Sequence, residues 1–319
     1  MILNILFLIL GFALLIKGAD ILVDGASKIA RKFKIPTIVI GLTIVAIGTS
    51  MPELMVSATS ALEGHSDIAI GNIVGSNIAN LFLILGICSI IKPLKFKKET
   101  KLIENPITII VTLLFLFFCI NQNNNTITKL EGTVLLILCG LFIIYNAIMA
   151  KKGNDFDNEE PAKENKNDNI FIAIIKVVIG IVALKFGGDF VVDSASKIAQ
   201  MIGISEKIIS LTIVAISTSL PELITSVTAT KKGEVDMAIG NIIGSVIFNI
   251  LLIIGTSAVI QPIIYSASYN WDFIVLIVGT ILFALFPFIG PKDEMSREDG
   301  IIFLTIYILY MANMLITNL

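Results

Sequence analysis

Ionisable residues are scarce in this sequence. Asp, Glu, Lys and Arg make up 15% of its 319 residues, whereas soluble domains usually carry about 25%. His65 is the single histidine, and the spacing of Cys88, Cys119 and Cys139 matches no metal motif or disulfide framework. The sequence also shows no nucleophile–base set, phosphate loop or metal-hydrolase motif. We therefore expect neither an enzyme nor a cofactor, no nucleic-acid partner and no obligate protein partner.

Long apolar runs dominate the sequence. Hydrophobic residues make up 55% of the chain, the mean hydropathy is +0.92, and a helix needs roughly 20 mostly apolar residues to span a bilayer. The ten runs of this kind are 2–16, 35–61, 68–91, 106–120, 131–149, 170–186, 208–229, 237–262, 273–289 and 300–317. Because they are continuous rather than alternating, they predict helices and not a barrel. The predicted fold is an all-α integral membrane protein with ten transmembrane helices in the lipid bilayer.

The chain also repeats itself. When Gly18 is aligned with Gly187, the two halves match without a gap over roughly residues 18–93. LTIVAIGTSMPEL at 42–54 meets LTIVAISTSLPEL at 211–223, and IGNIVGSNIAN at 70–80 meets IGNIIGSVIFN at 239–249. Apolar helices resemble one another by chance, but shared Pro, Glu, Asn and Gly at fixed offsets indicate an internal duplication.

Each half of the chain contains five predicted helices. Because five is odd, the second copy must enter the membrane in the opposite orientation, which is the inverted-repeat plan of many secondary transporters. The stretch between the copies is rich in Asn, Asp, Glu and Lys and cannot bury apolar surface. We predict a first repeat at 1–149, a polar linker at 150–169 and a second repeat at 170–319.

The distribution of basic residues predicts the orientation. Lys and Arg cluster in the connections that follow segments 1, 3, 5, 7 and 9, whereas the intervening connections are not basic. Cytoplasmic loops are enriched in Lys and Arg. We therefore expect a multi-pass protein of the plasma membrane with both termini outside and the 150–169 linker in the cytoplasm.

Two glutamates lie inside apolar segments. Glu53 is in the second segment, and Glu222, its equivalent in the second copy, is in the seventh. A carboxylate near the bilayer centre costs at least about 2.5 kcal/mol even on lenient insertion scales, so it needs a partner or a function. The segments of the repeat hold no Lys or Arg at that depth, which disfavours a structural ion pair.

Polar side chains accompany both glutamates. Thr49, Ser50 and Glu53 share one side of a helix, and Ser76 and Asn80 are four residues apart on the next segment. The second half repeats this set as Thr218, Ser219, Glu222, Ser245 and Asn249. All of these side chains offer oxygen, which Ca²⁺, Na⁺ and Mg²⁺ prefer, whereas soft metals prefer Cys and His. The pattern predicts a binding site for hard cations.

Prolines predict breaks beside the glutamates. Pro52 and Pro221 lack an N–H and push away the carbonyl four residues back, which frees carbonyls near Gly48 and Ser217. Glycines in segments 3 and 8 allow close helix contact or a further break. We therefore predict that segments 2, 3, 7 and 8 form broken helices around a central cation site, as in other transporters.

These motifs carry a family resemblance. GTSMPE with GNIVGSNIAN, and STSLPE with GNIIGSVIFN, resemble the two alpha-repeats of the sodium/calcium exchangers of the cation/Ca²⁺ exchanger superfamily, in a prokaryotic form without regulatory domains. The resemblance implies ion-binding roles for the ten polar side chains named above and backbone ligation from Ala46 and Ala215. Ser217 stands where the motif usually has Gly. Asn249 stands where K⁺-dependent relatives carry an acidic residue, which argues against K⁺ co-transport.

Three transport functions are compatible with the sequence, and they differ in the ion gradient that drives movement of the divalent cation. In a Na⁺/Ca²⁺ antiporter, the two glutamates balance one Ca²⁺ or about two Na⁺, so the ions compete for one site. In an H⁺/Ca²⁺ exchanger, protons replace Na⁺, although the GN signature of the cation/proton branch is absent. A cation channel also uses carboxylates, but it usually assembles identical subunits around an axis. We expect a K⁺-independent Na⁺/Ca²⁺ antiporter that works by alternating access.

Overall fold

Nearly all of the described chain is helical. The computed structural model describes residues 1–120, 125–152, 169–204, 209, 215–289 and 293–318. The helices are α1 (Ile2–Phe33), α2 (Thr37–Thr49), α3 (Met51–Leu62), α4 (Ile68–Ile91), α5 (Thr100–Cys119), α6 (Lys129–Lys152), α7 (Ile170–Met201), α8 (Ala215–Ser217), α9 (Leu220–Lys232), α10 (Val235–Ile260), α11 (Asn270–Ile289) and α12 (Arg297–Asn318). Four two-residue strands join them, namely β1 (Leu94–Lys95), β2 (Thr126–Ile127), β3 (Ile263–Ile264) and β4 (Glu294–Met295).

The helices agree with a ten-span membrane protein. Within the described residues, eight helices are long and apolar enough to cross a bilayer, and the bent pair α2–α3 makes a ninth span. The seventh predicted segment, 208–229, is described in part, as α8 and α9. Most of its first half lies outside the described residues, and so does the linker core at 153–168.

Two predicted spans are too short. The sequence predicts helices at 2–16 and 170–186, but α1 and α7 each continue for 32 residues. Beyond Ile16 and Phe186 the sequence becomes richer in Gly, Asp and Lys, so the apolar run ends there. A helix does not need an apolar sequence to continue, because its backbone hydrogen bonds are satisfied internally. The polar extension carries ion pairs instead, including one between Asp24 of α1 and Lys176 of α7.

Glycines spaced by seven residues hold α1 against α7. Gly11, Gly18 and Gly25 lie on one face of α1, and Gly180 and Gly187 lie on the opposing face of α7. A Cβ at Gly11 would lie 2.9 Å from the carbonyl oxygen of Gly187, and one at Gly180 would lie 2.8 Å from that of Gly18. Small residues let membrane helices approach this closely, and a seven-residue period keeps the seam on one face.

Helix boundaries lie at the breaks predicted beside the two prolines. α2 ends at Thr49 and α3 starts at Met51 with a bend of 47°, and in the second half α9 starts at Leu220. In both halves the proline takes one of the first two positions of the new helix. Proline is favoured there because its missing N–H would have no intrahelical partner anyway.

Segments 3 and 8 do not break as predicted. α4 and α10 are each continuous, and each contains a six-residue π-helical stretch, at Ala79–Ile84 and Asn249–Ile254. Neither helix holds a proline, so nothing removes a backbone donor or pushes out a carbonyl. A π-bulge inserts an extra residue into the helix and is frequent at functional sites. Asn80 and Asn249 lie within these stretches.

The two short sheets demonstrate the inverted arrangement. β1 and β2 flank α5, so they lie on opposite faces of the membrane. β1 pairs with β4, and β2 pairs with β3. Consequently β3, which follows α10, lies on the face opposite to β1, which follows α4. Helices α4 and α10 are repeat equivalents, and they therefore run in opposite directions through the bilayer.

These two inverted helices form the centre of the molecule. The apolar window of α10 is 94% buried and that of α4 is 78% buried, compared with 22% for α1. The main hydrophobic core collects around them and includes Phe82, Phe248, Phe115 and Phe273. The lipid-facing helices thus enclose a central pair, and the broken helices lie against that pair.

Candidate functional site

Both glutamates lie in the first turn of a half-helix. Glu53 is in the first turn of α3 and Glu222 in the first turn of α9, and both side chains are fully buried. The first backbone N–H groups of a helix have no carbonyl partner within that helix. The positive end of the helix dipole therefore favours a negative charge at each position.

Hydroxyl groups connect the two halves around the glutamates. Ser50 Oγ donates a hydrogen bond to Glu222 Oε1 over 2.8 Å and lies 3.1 Å from Ser245 Oγ. Ser76 Oγ lies 3.4 Å from Glu53 Oε1 and 3.3 Å from Thr218 Oγ1. The structure therefore brings side chains of both repeats together at each glutamate, and these two groups are called the polar cluster.

Several atoms of this cluster have no hydrogen-bond partner among the described residues. The unpartnered oxygens in the predicted set are Glu53 Oε2, Glu222 Oε2, Ser219 Oγ, Asn80 Oδ1 and Asn249 Oδ1. Their five residues are at most 1% exposed. Leaving a buried polar group unpaired costs about 1–3 kcal/mol, and more for a charged group. A hard cation satisfies such oxygens, because it accepts many oxygen ligands at once.

The surroundings of Ala46, one of the two predicted backbone ligands, are described fully, and those of Ala215 only in part. The carbonyl oxygen of Ala46 accepts the Ser50 N–H at 3.0 Å and the Thr49 hydroxyl at 3.3 Å. Thr49 Oγ1 also lies 3.1 Å from the Val45 carbonyl oxygen. Ala215 begins α8 in the second half, and the residues just before it lie outside the described part.

The sequence analysis missed a polar brace in the first half. Asn72 Nδ2 donates to Ser57 Oγ at 2.9 Å and to the Glu53 carbonyl oxygen at 3.3 Å. Asn72 Oδ1 accepts from Thr218 Oγ1 at 3.3 Å. The asparagine therefore ties α3 to α4 and orients a threonine of the other repeat.

The second half contains the same brace. Asn241 Nδ2 donates to Ser226 Oγ at 2.9 Å, and Asn241 Oδ1 accepts from Thr49 Oγ1 at 3.2 Å. In the alignment of the halves, Asn72 meets Asn241 and Ser57 meets Ser226. Extending the comparison of the halves to every repeated polar residue would have found them.

Asn77 makes a further polar contact, although the equivalent residue of the other repeat is apolar. Its Oδ1 accepts a hydrogen bond from Asn249 Nδ2 at 2.9 Å, and its Nδ2 lies 3.4 Å from the Val246 carbonyl oxygen. Because the amide nitrogen of Asn249 is engaged, its oxygen is left as the free group. The residue equivalent to Asn77 is Val246, so comparing the halves gave no signal for this role.

A cavity leads to the polar cluster from one face of the membrane. It has a volume of about 660 Å³ and is lined mainly by α4, α12 and the connection between α10 and α11. At its outer end Trp271 is 54% exposed, and at its deep end it reaches Asn72 and Thr218. The cavity opens on the face that carries the β2–β3 sheet.

Helices α2 and α10 meet closely on the other face. A Cβ at Gly41 would lie 2.5 Å from the Met237 carbonyl oxygen, and one at Gly240 would overlap the carbonyl of Ile38. Glycine at both positions allows the two backbones to touch. The polar cluster is thus reached from one face, while the opposite approach between these helices is closed.

Comparisons with known proteins agree with this architecture. The sequence profile of a family described as "Sodium/calcium exchanger protein" matches residues 3–148 and 172–316. The chain is 38% identical to a putative antiporter, CaxA, of Alkalimonas amylolytica, over 96% of both chains. It is 31% identical to the sodium/calcium exchanger MaX1 of Methanosarcina acetivorans, over 97% of both. A solved structure of the sodium-calcium exchanger NCX_Mj, soaked with Na⁺ and Ca²⁺, superposes with a TM-score of 0.81 at 34% identity over 98% of both chains.

Proposed function

The chain belongs to the sodium/calcium exchanger family, and we propose that it is an antiporter that exchanges Na⁺ for Ca²⁺ across the plasma membrane without K⁺. The observation that carries this proposal is the set of unpartnered, fully buried oxygens around Glu53 and Glu222. The proposed ligands are the side chains of Thr49, Ser50, Glu53, Ser76, Asn80, Thr218, Ser219, Glu222, Ser245 and Asn249, with the carbonyl oxygens of Ala46 and Ala215.

Charge balance explains why the two ions compete. When ionised, Glu53 and Glu222 supply a charge of −2, which one Ca²⁺ neutralises and which about two Na⁺ neutralise equally well. The hydroxyl and amide oxygens add ligands without adding charge. One site that holds either load, but not both, couples the movement of Na⁺ to that of Ca²⁺.

The inverted repeats supply the means of transport. One face has an open cavity that reaches Thr218, and the other is closed where Gly41 meets Gly240. In inverted-repeat transporters the two halves exchange conformations, so the open and closed faces alternate around a fixed site. With both termini outside, as the basic loops predict, the open cavity faces the exterior.

We propose from the nature of Asn249 that the exchange does not require K⁺. Its side chain is neutral, and it is held by Asn77 so that its oxygen remains free. The proposed ligand set then contains two carboxylates and no third charge to balance a K⁺ bound together with Ca²⁺. An amide oxygen can still ligate Na⁺ or water.

Uptake of radiolabelled Ca²⁺ into proteoliposomes tests the proposal. An outward Na⁺ gradient should drive Ca²⁺ accumulation, and neither an H⁺ gradient nor a K⁺ gradient should replace it. Accumulation driven by H⁺ alone would identify an H⁺/Ca²⁺ exchanger instead. Ca²⁺ entry that needs no counter-ion would indicate a channel.

A further inference from the structure

A carboxylate outside the central cluster lines the open cavity. Asp272 is in the first turn of α11 and faces the same cavity as Thr218 and Asn72. Tyr310 of α12 donates a hydrogen bond to Asp272 Oδ1 at 2.8 Å. The tyrosine holds the carboxyl group in one position.

The first repeat places an acid next to the equivalent position. The alignment of the halves pairs Asp272 with Ile103, the neighbour of Glu104, and β2 and β4 show the same shift by one position. Tyr145 of α6 donates to Glu104 Oε1 at 2.8 Å. This tyrosine is one helical turn away from the equivalent of Tyr310, and the two pairs otherwise correspond.

The buried acid faces a small cavity of its own. Glu104 is 3% exposed and Thr100 is 1% exposed, and Glu104 Oε2 and Thr100 Oγ1 have no partner among the described residues. Both residues line a space of about 30 Å³ between the start of α2 and α5, which is large enough for a water molecule, since one water needs about 10–15 Å³ by this measure. Lys97 and Glu99 also line this space, and the ammonium group of Lys97 pairs with Asp236 at 2.9 Å.

We propose that Asp272 and Glu104 are accessory Na⁺ sites, one in the vestibule on each face of the membrane. This inference rests on the proposed exchange function, because the Glu104 space becomes an open vestibule only if the two repeats swap conformations. Asp272 offers one carboxylate together with neutral oxygens, which suits a monovalent hard cation, and beside Glu104 the opposite charges of Glu99 and Lys97 offset each other. Of the two, the Asp272 site is open in this structure and the Glu104 site is closed.

The lone tryptophan provides a direct measure of binding. Trp271 is the single Trp of the chain, adjoins Asp272 and lines the same cavity. Its fluorescence should respond saturably to NaCl that replaces N-methylglucamine chloride in purified full-length protein. Asp272→Asn should shift the midpoint by about tenfold, the equivalent of about 1.4 kcal/mol. The matched substitution Asp189→Asn, on an exposed pair with Lys185, should leave it unchanged.

A third variant tests whether the fluorescence signal comes from the Asp272 site and not from the central site. Glu53→Gln should keep the Trp271 response, because that residue is absent from the cavity lining. A wild-type protein without a saturable response, an Asp272→Asn response equal to wild type, or a response lost in Glu53→Gln would each overturn the proposal. Failure of the exchange function would appear independently, as absent Na⁺-driven Ca²⁺ uptake in the wild type.

The closed site is tested by sided transport. Glu104→Gln keeps an acceptor for Tyr145 because the amide has a carbonyl oxygen, so maximal flux at saturating Na⁺ should match wild type. The half-maximal Na⁺ concentration should rise by about tenfold on the face opposite to Asp272 and stay unchanged on the other face. Asp272→Asn should give the reverse pattern. Equal effects on both faces, or none on either, would refute the assignment of one site to each face.

Discussion

Neutralising one central glutamate should weaken Ca²⁺ binding more than Na⁺ binding. Glu222→Gln preserves the side-chain volume and an acceptor for Ser50, which lies 2.8 Å from Glu222 Oε1. What it removes is one of the two charges in the proposed ligand set. By repeat symmetry Glu53→Gln should behave in the same way.

The magnitude follows from the charges. At an oxygen distance of about 2.4 Å and an effective dielectric constant of about 20, a carboxylate attracts Ca²⁺ by about 14 kcal/mol and Na⁺ by about 7 kcal/mol. The amide oxygen of the new glutamine and screening by the surrounding polar groups offset most of this loss. If only about a tenth remains, Ca²⁺ affinity falls by about tenfold and Na⁺ affinity by about threefold. The twofold ratio in free energy holds for any surviving fraction that is the same for the two ions.

Equilibrium binding and flux measure this difference. Binding of radiolabelled Ca²⁺ and ²²Na⁺ to the purified variants gives the two affinities, and Na⁺-driven Ca²⁺ uptake should fall by at least about tenfold at Ca²⁺ concentrations below saturation. Glu63→Gln, in the exposed turn after α3, is the matched control and should leave both unchanged. Near-normal Ca²⁺ flux in Glu53→Gln or Glu222→Gln, or equal losses for both ions, would refute the reasoning.

Three further perturbations probe orientation, closure and K⁺. A cysteine in the 150–169 linker should be protected from impermeant reagent in right-side-out vesicles while one at 64–66 is labelled; the reverse would overturn the orientation. Gly41→Ala puts a Cβ 2.5 Å from a carbonyl oxygen of α10, so the Tm should fall by an amount corresponding to about 1–3 kcal/mol. Gly140→Ala meets nothing within 4 Å, and an equal fall there would contradict the close contact. Replacing K⁺ by choline should not slow Na⁺-driven Ca²⁺ flux, whereas Asn249→Asp should make the flux sensitive to H⁺ or K⁺; a wild type that stops without K⁺ would contradict the charge argument.

The features that the sequence predicted well are those with a strong local cause. Apolar length predicted most of the spans, and the odd number of helices in each half predicted the inversion seen in the sheet pairing. Pro52 and Pro221 predicted the breaks because proline removes a backbone donor wherever it stands. These arguments need only neighbours in sequence, so they did not depend on knowing the packing.

Other features depend on contacts between distant segments. The polar end of α1 pairs through Asp24 with Lys176 of α7, and the two helices pack along a glycine seam. Neither contact is visible in the apolar run of one segment. The continuity of α4 and α10 was missed because glycine permits either a break or a close contact, and only packing decides between them. Asn77 engages Asn249 across the molecule, and its own repeat equivalent is an apolar residue.

The contacts that the two halves share, and those that they do not, separate fixed parts of the site from moving ones. The brace from Asn72 to Ser57 has the same length, 2.9 Å, as the brace from Asn241 to Ser226. By contrast, Ser50 bonds Glu222 at 2.8 Å, whereas Ser219, its repeat equivalent, has no partner among the described residues. If the halves exchange conformations, a contact found in both persists through the exchange, and a contact found in one must form and break. We therefore expect the asparagine braces to act as a rigid frame and the serine–glutamate contact to change with the face that is open.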